Sequence, residues 1–317
     1  PSDADAFTKR GIVRSQLGRI EEAIEDFDKA IELNPKLESA HFFRGCIKFS
    51  ITRYEDAIDS FSAAIELNPN SADSYQSRGE VMMALGRNEA AIDDLSKAIE
   101  LDPTFAAAYM NRGDAWYNLR NYERANEDYT KLLQLDPEKI FAYFYRGNSR
   151  LFMKKFEEAI EDYTKAIELI PDPSNAYYNR ANAKSKLNRL QEAIEDYDKA
   201  IELDPENVHA FNNRAFAKRN LEKFEEAIED YNRVLEIDPQ YTSAYFHRAF
   251  AKRSLKKFED AIEDITMYID ANPTDGSALE LRAFWLGQIG RREDAIRDFD
   301  KSIELGNEDL ANAYNNR

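Results

Sequence analysis

Pro1, Pro35, Pro69, Pro103, Pro137, Pro171, Pro205, Pro239 and Pro273 follow one another at intervals of 34 residues, and of the ten prolines only Pro173 stands out of phase. Proline cannot donate the next helical hydrogen bond and pushes the residue before it out of the α region, so each rung of this ladder ends a helix. A fixed period in the range of 20 to 50 residues marks a stack of supersecondary units, not a set of independent globular domains. With each proline counted as position 32, the 317 residues divide into 4–37, 38–71, 72–105, 106–139, 140–173, 174–207, 208–241, 242–275 and 276–309, and a partial repeat follows at 310–317. No linker-like stretch interrupts them, so the expectation is a single array over 1–317.

Other positions keep the same beat, and their residue types say what each does. Position 20 is alanine in every unit, from Ala23 and Ala57 to Ala261 and Ala295. Position 8 is glycine in the first five (Gly11, Gly45, Gly79, Gly113, Gly147) and alanine in the last four (Ala181, Ala215, Ala249, Ala283). Glycine in a helix is about 1 kcal/mol worse than alanine, so its use predicts that a facing helix comes close. Position 24 is large and mostly aromatic (Phe27, Phe61, Tyr129, Tyr163, Tyr197, Tyr231, Phe299) and fills the space beside the small residues. Within one unit, Leu190, Ala193, Ile194, Tyr197, Ala200 and Ile201 recur at spacings of three and four, the apolar stripe of a helix that stops at Asp204-Pro205. Glu195 with Lys199 on its outer face has the spacing of a surface ion pair. No segment alternates as a half-buried strand would, so the fold expected is all-α.

A small residue at 8, alanine at 20, an aromatic at 24, usually alanine at 27 and proline at 32, repeated over the whole chain, resembles the tetratricopeptide repeat family. The resemblance implies a right-handed superhelical solenoid of stacked antiparallel helix pairs, first helices lining the concave face, with the holding of peptides and subunits as its usual work. Position 7 departs from the family's frequent aliphatic residue: it is arginine in every unit, Arg10 and Arg44 through Arg248 and Arg282, while position 23 is nearly always aspartate. A charge matched in almost every unit predicts half-buried pairs across the helix pair or the repeat junction, not a ladder for acidic ligands.

Acidic residues outnumber basic ones 60 to 43, a net charge of −17, which argues against a nucleic-acid backbone or an anionic bilayer, and no apolar run approaches the length of a membrane span, so no membrane insertion is expected. A single cysteine, Cys46, excludes an internal disulfide framework and points to a reducing, cytoplasmic setting. His41, His209 and His247 are far apart in the array, no phosphate-binding glycine loop or nucleophile motif is present, and neither a catalytic activity nor a cofactor or metal is expected. Pro1 falls in phase as the end of a preceding repeat and Ala311–Arg317 as the start of another, so the expectation is a window from a longer array, with end-to-end self-association through the uncapped repeats as the other reading. Asn307 in place of proline, an extra residue before Tyr314 and Tyr268 in place of alanine at position 27 predict a change of curvature near the end.

The family geometry directs positions 2, 5, 6, 9, 12 and 13 of the first helices toward the groove. Asn111, Asn179 and Asn213 take position 6, and Asn148 and Asn182 take position 9. An amide both donates and accepts, so such a row can hold an extended peptide backbone; it is similar to the asparagine ladder in the repeat array of O-linked N-acetylglucosamine transferases, but broken. Phe216, Phe250 and Phe284 take position 9 further along, with Phe246 at position 5 and Arg219 and Arg253 at position 12. Aromatics beside arginines suit a ligand with apolar and acidic side chains, the alternative being that the phenylalanines pack between neighbouring first helices. The C-terminal carboxylate clamp of chaperone adaptors is matched by Asn182 and Asn213 but has Tyr178, Ser243 and His247 where its basic residues belong, so that clamp is not expected. The function expected is a non-enzymatic scaffold for a protein or peptide ligand, with the stretch from Asn179 to Phe284 as its seat, or else the substrate-selecting array of a larger enzyme.

Overall fold

The computed structural model describes residues 3–306, and among them only helices and turns occur. The helices come in pairs, one pair per repeat: α1 (Ala4–Gln16) with α2 (Ile20–Leu33), α3 (Glu38–Ser50) with α4 (Tyr54–Leu67), α5 (Ala72–Ala84) with α6 (Asn88–Leu101), α7 (Ala106–Asn118) with α8 (Tyr122–Leu135), and α9 (Ile140–Phe152) with α10 (Phe156–Leu169). They continue as α11 (Ser174–Lys186) with α12 (Leu190–Leu203), α13 (Val208–Asn220) with α14 (Phe224–Ile237), α15 (Thr242–Ser254) with α16 (Phe258–Ala271), and α17 (Gly276–Gln288) with α18 (Arg292–Glu304). Pro1, Asn307, Tyr314 and the partial repeat 310–317 lie outside the described residues.

Both turns of the repeat are set by local chemistry. The second helix ends two residues before the proline, and the Asn or Asp between them accepts through its side chain the amide two residues on: Asn34 from Lys36 at 3.1 Å, Asp102 from Thr104 at 2.8 Å, Asp238 from Gln240 at 3.0 Å. That Asx turn holds the chain in register for the next helix. Between first and second helix, position 15 adopts the left-handed conformation in every unit: Gly18, Gly86 and Gly290, but also Thr52, Arg120, Lys154, Asn188, Glu222 and Lys256, all with φ between 59° and 82°. The residue after it donates back to the first helix, Arg19 N to Arg14 O at 2.9 Å, which closes a Schellman-type cap.

The core runs along the crossings. Alanine at position 20 is fully buried in the first eight units and nearly so at Ala295. A Cβ added to Gly45 would lie 2.7 Å from Phe61 Cε1, and one on Gly113 would lie 2.8 Å from Tyr129 Cε1, so the aromatic of position 24 rests flat against the bare backbone of position 8. Contacts gather the chain into two compact units, one up to Lys165 and one from Ala166 onward. In each, a second helix packs on the first helix that follows it, as α2 does on α3 and α12 on α13. Neighbouring first helices also touch, α1 with α3, α3 with α5 and α5 with α7 in one unit, α11 with α13 and α13 with α15 in the other, whereas second helices do not approach one another to that extent. The first-helix side is therefore the inner side of each unit.

The arginines of position 7 are paired as their regular spacing predicts. Arg112 Nε and Nη2 donate to Asp128 at 2.9 and 2.7 Å, and Arg78, Arg146, Arg180, Arg214, Arg248 and Arg282 repeat the fork on Asp94, Asp162, Asp196, Asp230, Asp264 and Asp298. The free Nη1 crosses to position 25 of the preceding repeat, Arg78 to Ser62 at 2.9 Å and Arg214 to Asp198 at 2.6 Å. One arginine thus ties its own helix pair and the repeat before it. On the outer surface, Lys199 pairs with Glu202 at 2.7 Å and not with Glu195, because the next carboxylate one turn onward lies within its reach; an exposed pair of either kind contributes less than about 1 kcal/mol.

Candidate functional site

The groove candidates fall into two sets that the structure treats differently. In the first unit, Asn111 lines a recess of about 500 Å³ with Met110, Ile140 and Phe141, the last of these 59% exposed. Asn148, on α9, accepts the Tyr163 hydroxyl at 2.8 Å.

In the second unit the asparagines engage one another. Asn182 Oδ1 accepts from Asn213 Nδ2 at 2.9 Å and from the Tyr197 hydroxyl at 2.6 Å. Asn213 Nδ2 also reaches Tyr178 Oη at 3.2 Å, and Asn213 Oδ1 accepts from Asn212 at 3.2 Å. Both N–H groups of Asn213 are therefore engaged by its neighbours, and the Nδ2 of Asn182 is the donor that this step of the row leaves open. Asn179 lies half-buried on the same helix as Asn182.

The phenylalanines divide. Phe250 packs edge-on against Trp285 with ring centroids 5.5 Å apart and lies 5.0 Å from Phe246, which in turn meets Tyr268 at 4.9 Å. Those two are packed between helices. Phe216 and Phe284 remain 37% and 46% exposed on the inner face. Beside Phe216, the Arg219 guanidinium lies over the ring at 4.8 Å and donates from Nη1 to His247 Nδ1 at 3.2 Å. Burial and the Arg219 charge push His247 down to about 4, so the imidazole is neutral. Arg253 is exposed on α15, and neither Arg219 nor Arg253 has a carboxylate partner among the described residues.

One relation went unread in the sequence: the hydroxyl at position 24 is matched to a polar acceptor at position 9. Tyr129 donates to Asp114 at 2.6 Å, Tyr163 to Asn148 and Tyr197 to Asn182, whereas the phenylalanines Phe27, Phe61 and Phe299 face Ile12, Cys46 and Phe284 at the same register. The signal was the choice of Tyr or Phe in one row against polar or apolar in the other. Tyr231, opposite Phe216, breaks it, and its buried hydroxyl has no partner.

Among the described residues no group of three or more His, Cys, Asp or Glu is arranged to hold a metal ion, and no helix is long and apolar enough to cross a membrane.

This geometry of paired helices and small-residue crossings is that of known repeat proteins. The C-terminal part of a TPR repeat-containing protein from Cytophaga hutchinsonii superposes with a TM-score of 0.64 at 19% identity over 76% of this chain and 98% of that one. YrrB, described as a TPR protein with an unusual peptide-binding site, gives 0.55 at 24% identity over 59% and 96%. A tetratricopeptide repeat protein from Parabacteroides merdae gives 0.54 at 17% over 78% and 98%. At these identities the likeness is one of fold. No curated protein matches the chain significantly. The tetratricopeptide repeat family models match residues 4–37, 106–139, 140–173, 174–207 and 208–241, and a further TPR repeat model matches 45–86 and 79–120. Those matches take in well over half of the sequence, and the 34-residue ones each coincide with a helix pair seen in the structure: the chain belongs to the tetratricopeptide repeat family.

Proposed function

We propose that this chain is a non-enzymatic interaction scaffold that holds a peptide or a segment of a partner protein on the inner, first-helix face, seated between Asn179 and Phe284. The observation that carries the reading is the contrast between two sets of arginines. Those of position 7 are satisfied by aspartates within the stack, whereas Arg219 and Arg253 on the inner face have none, and Arg219 stands over the exposed ring of Phe216. A stack that neutralises its internal cations but leaves those two unmatched, one of them over an exposed ring, offers complementarity to something outside itself. The net charge of −17 disfavours a nucleic-acid partner.

Replacing Phe216, Phe284 and Arg253 together by alanine abolishes partner capture from the native source if the reading holds. Capture unchanged by the triple substitution refutes it. A second reading, the substrate-selecting array of a larger enzyme, draws on the Asn182–Asn213 step across neighbouring first helices. It is separated from the first by whether the captured protein is chemically modified in the presence of whatever domain adjoins the array.

A further inference from the structure

We infer that the corner where α13, α14 and α15 meet is a carboxylate subsite, which takes an acidic residue of the ligand flanked by an apolar one. This rests on the groove reading above and gives it a specificity.

Three hydrogen-bond donors at the corner have no charged acceptor among the described residues. The first is Arg219. Five residues earlier on the same helix, Arg214 holds two carboxylates, Asp230 at 2.5 Å and Asp198 at 2.6 Å. Arg219 has only a neutral imidazole and an aromatic face, in a chain where acidic residues outnumber basic ones 60 to 43. The second follows from the first. A guanidinium only donates, so His247 Nδ1 accepts and the single proton of the neutral ring is on Nε2, which makes no hydrogen bond among the described residues. The third is Tyr231 on α14. Its hydroxyl is buried and orphaned because Phe216 occupies the position from which Asp114, Asn148 and Asn182 accept in earlier repeats. The His247 ring ties the set together, with Phe216 edge-on at 5.8 Å on one side and Tyr231 at 6.1 Å on another.

Donors with no acceptor call for an acceptor that carries charge, since hydrogen bonds to an ionised group are the strong ones. A carboxylate has two oxygens to offer the Arg219 N–H groups that His247 does not take. The apolar flank has its place as well: Phe216 is more than a third exposed, and Arg253, unpaired on α15, extends the positive edge one repeat further. The carboxylate clamp known from chaperone adaptors does not draw on the position of Arg219, and at its basic positions Tyr178, Ser243 and the neutral His247 supply no cation here.

The test is a titration of the full chain with three blocked tripeptides, read at the ring resonance of His247. One is phenylalanyl-aspartyl-leucine amide, the second its asparaginyl counterpart, and the third the asparaginyl peptide with a free terminal carboxylate. The aspartyl peptide shifts His247, leaves His41 and His209 in place, and binds roughly tenfold or more tightly than the asparaginyl amide, the factor one charge-assisted hydrogen bond supplies. Arg219→Gln removes that preference without lowering the melting temperature. A shift by the free-acid peptide equal to that of the aspartyl peptide also supports the subsite and assigns it to a chain terminus. Equal binding of the aspartyl and asparaginyl amides overturns the subsite while leaving the groove reading intact. No shift of His247 by any of the three overturns it as well, and the capture experiment then decides the wider reading separately. The peptide comparison is made on the unaltered chain, so it stands even where a variant folds poorly.

Discussion

Arg112 and Asp128, sixteen residues apart, meet across their helix pair in two parallel hydrogen bonds of 2.9 and 2.7 Å, with the carboxylate 5% exposed. Burial pushes the Asp128 carboxyl up, against the pull of Arg112, and does the same to Asp162 against Arg146. In these two pairs desolvation therefore consumes much of what the pairing gains. The ladder fixes the register of helix on helix and repeat on repeat more than it adds stability, and its energetic weight shows when one side is removed.

That weight is measurable at Asp196, which accepts from Arg180 at 2.7 and 2.8 Å and from Lys184 at 2.7 Å. Asp196→Ala leaves two cations facing each other inside the stack. The expected loss is about 3 kcal/mol or more in urea unfolding, and an unchanged midpoint would mean that the pairs are ornamental.

Repeat two shows the reverse case. Position 23 is Ser60, so Arg44 meets a hydroxyl at 3.2 Å where its counterparts hold a carboxylate and keeps only the pair to Asp28 of the preceding repeat at 2.8 Å, and half-buried Lys48 has no carboxylate where Lys184, Lys218 and Lys252 have one. Burial and the neighbouring Arg44 push the Lys48 amine down. Ser60→Asp supplies the missing partner and raises stability by about 1 kcal/mol, read as an upward shift of the melting temperature. A downward shift would show that the second repeat has closed around the serine.

Tyr197 and Tyr231 occupy the same position with opposite prospects. Tyr197→Phe removes the 2.6 Å bond to Asn182 and lowers stability by about 1 kcal/mol. Tyr231→Phe removes a buried hydroxyl that has no partner, so it is neutral or stabilising by up to about 1 kcal/mol. Equal losses in parallel denaturation curves would contradict the matched-acceptor rule.

His247 makes stability depend on pH. Its folded value of about 4 lies below the 6.5 of an ordinary imidazole, so above about pH 6.5 both states are neutral and nothing is lost. Below that the unfolded chain takes a proton that the folded chain refuses, and stability falls until the pH approaches about 4. Arg219 on α13 is the charged group facing the ring, and the Tyr231 ring packs near it from α14. His247→Gln keeps an acceptor for Arg219 but cannot titrate, so the loss between about pH 7 and about pH 5 is smaller in the variant than in the parent. An identical pH dependence in both would place the proton elsewhere.

The repeat, the helix pairs and the Arg–Asp ties were legible because each leaves a residue type at a fixed interval: proline where a helix stops, no Cβ at Gly45 where Phe61 arrives, Asp opposite Arg. The left-handed turn was hidden. Gly18, Gly86 and Gly290 hint at it, but Thr52 and five other side chains take the same φ, held there by the closing bonds on both sides. The groove was legible only in part. Asn182 and Asn213 are the residue types that a peptide receptor uses, and periodicity does not say that they lie close enough to bond each other. Phe216 and Phe250 share one register position, yet Trp285 on the next first helix covers Phe250, while Arg219 and His247 flank a ring that stays exposed.

The central claim is that the first-helix face receives the partner, and oxidative side-chain footprinting of the captured complex addresses it without altering a residue. Phe216 and Phe284 are exposed on first helices, and Met267, 50% exposed on α16, reports on the second-helix side. The account predicts that the partner protects Phe216 and Phe284 while Met267 oxidises as fast as in the free chain. Protection of Met267 with Phe216 and Phe284 still reactive would contradict it and move the interface to the outer face.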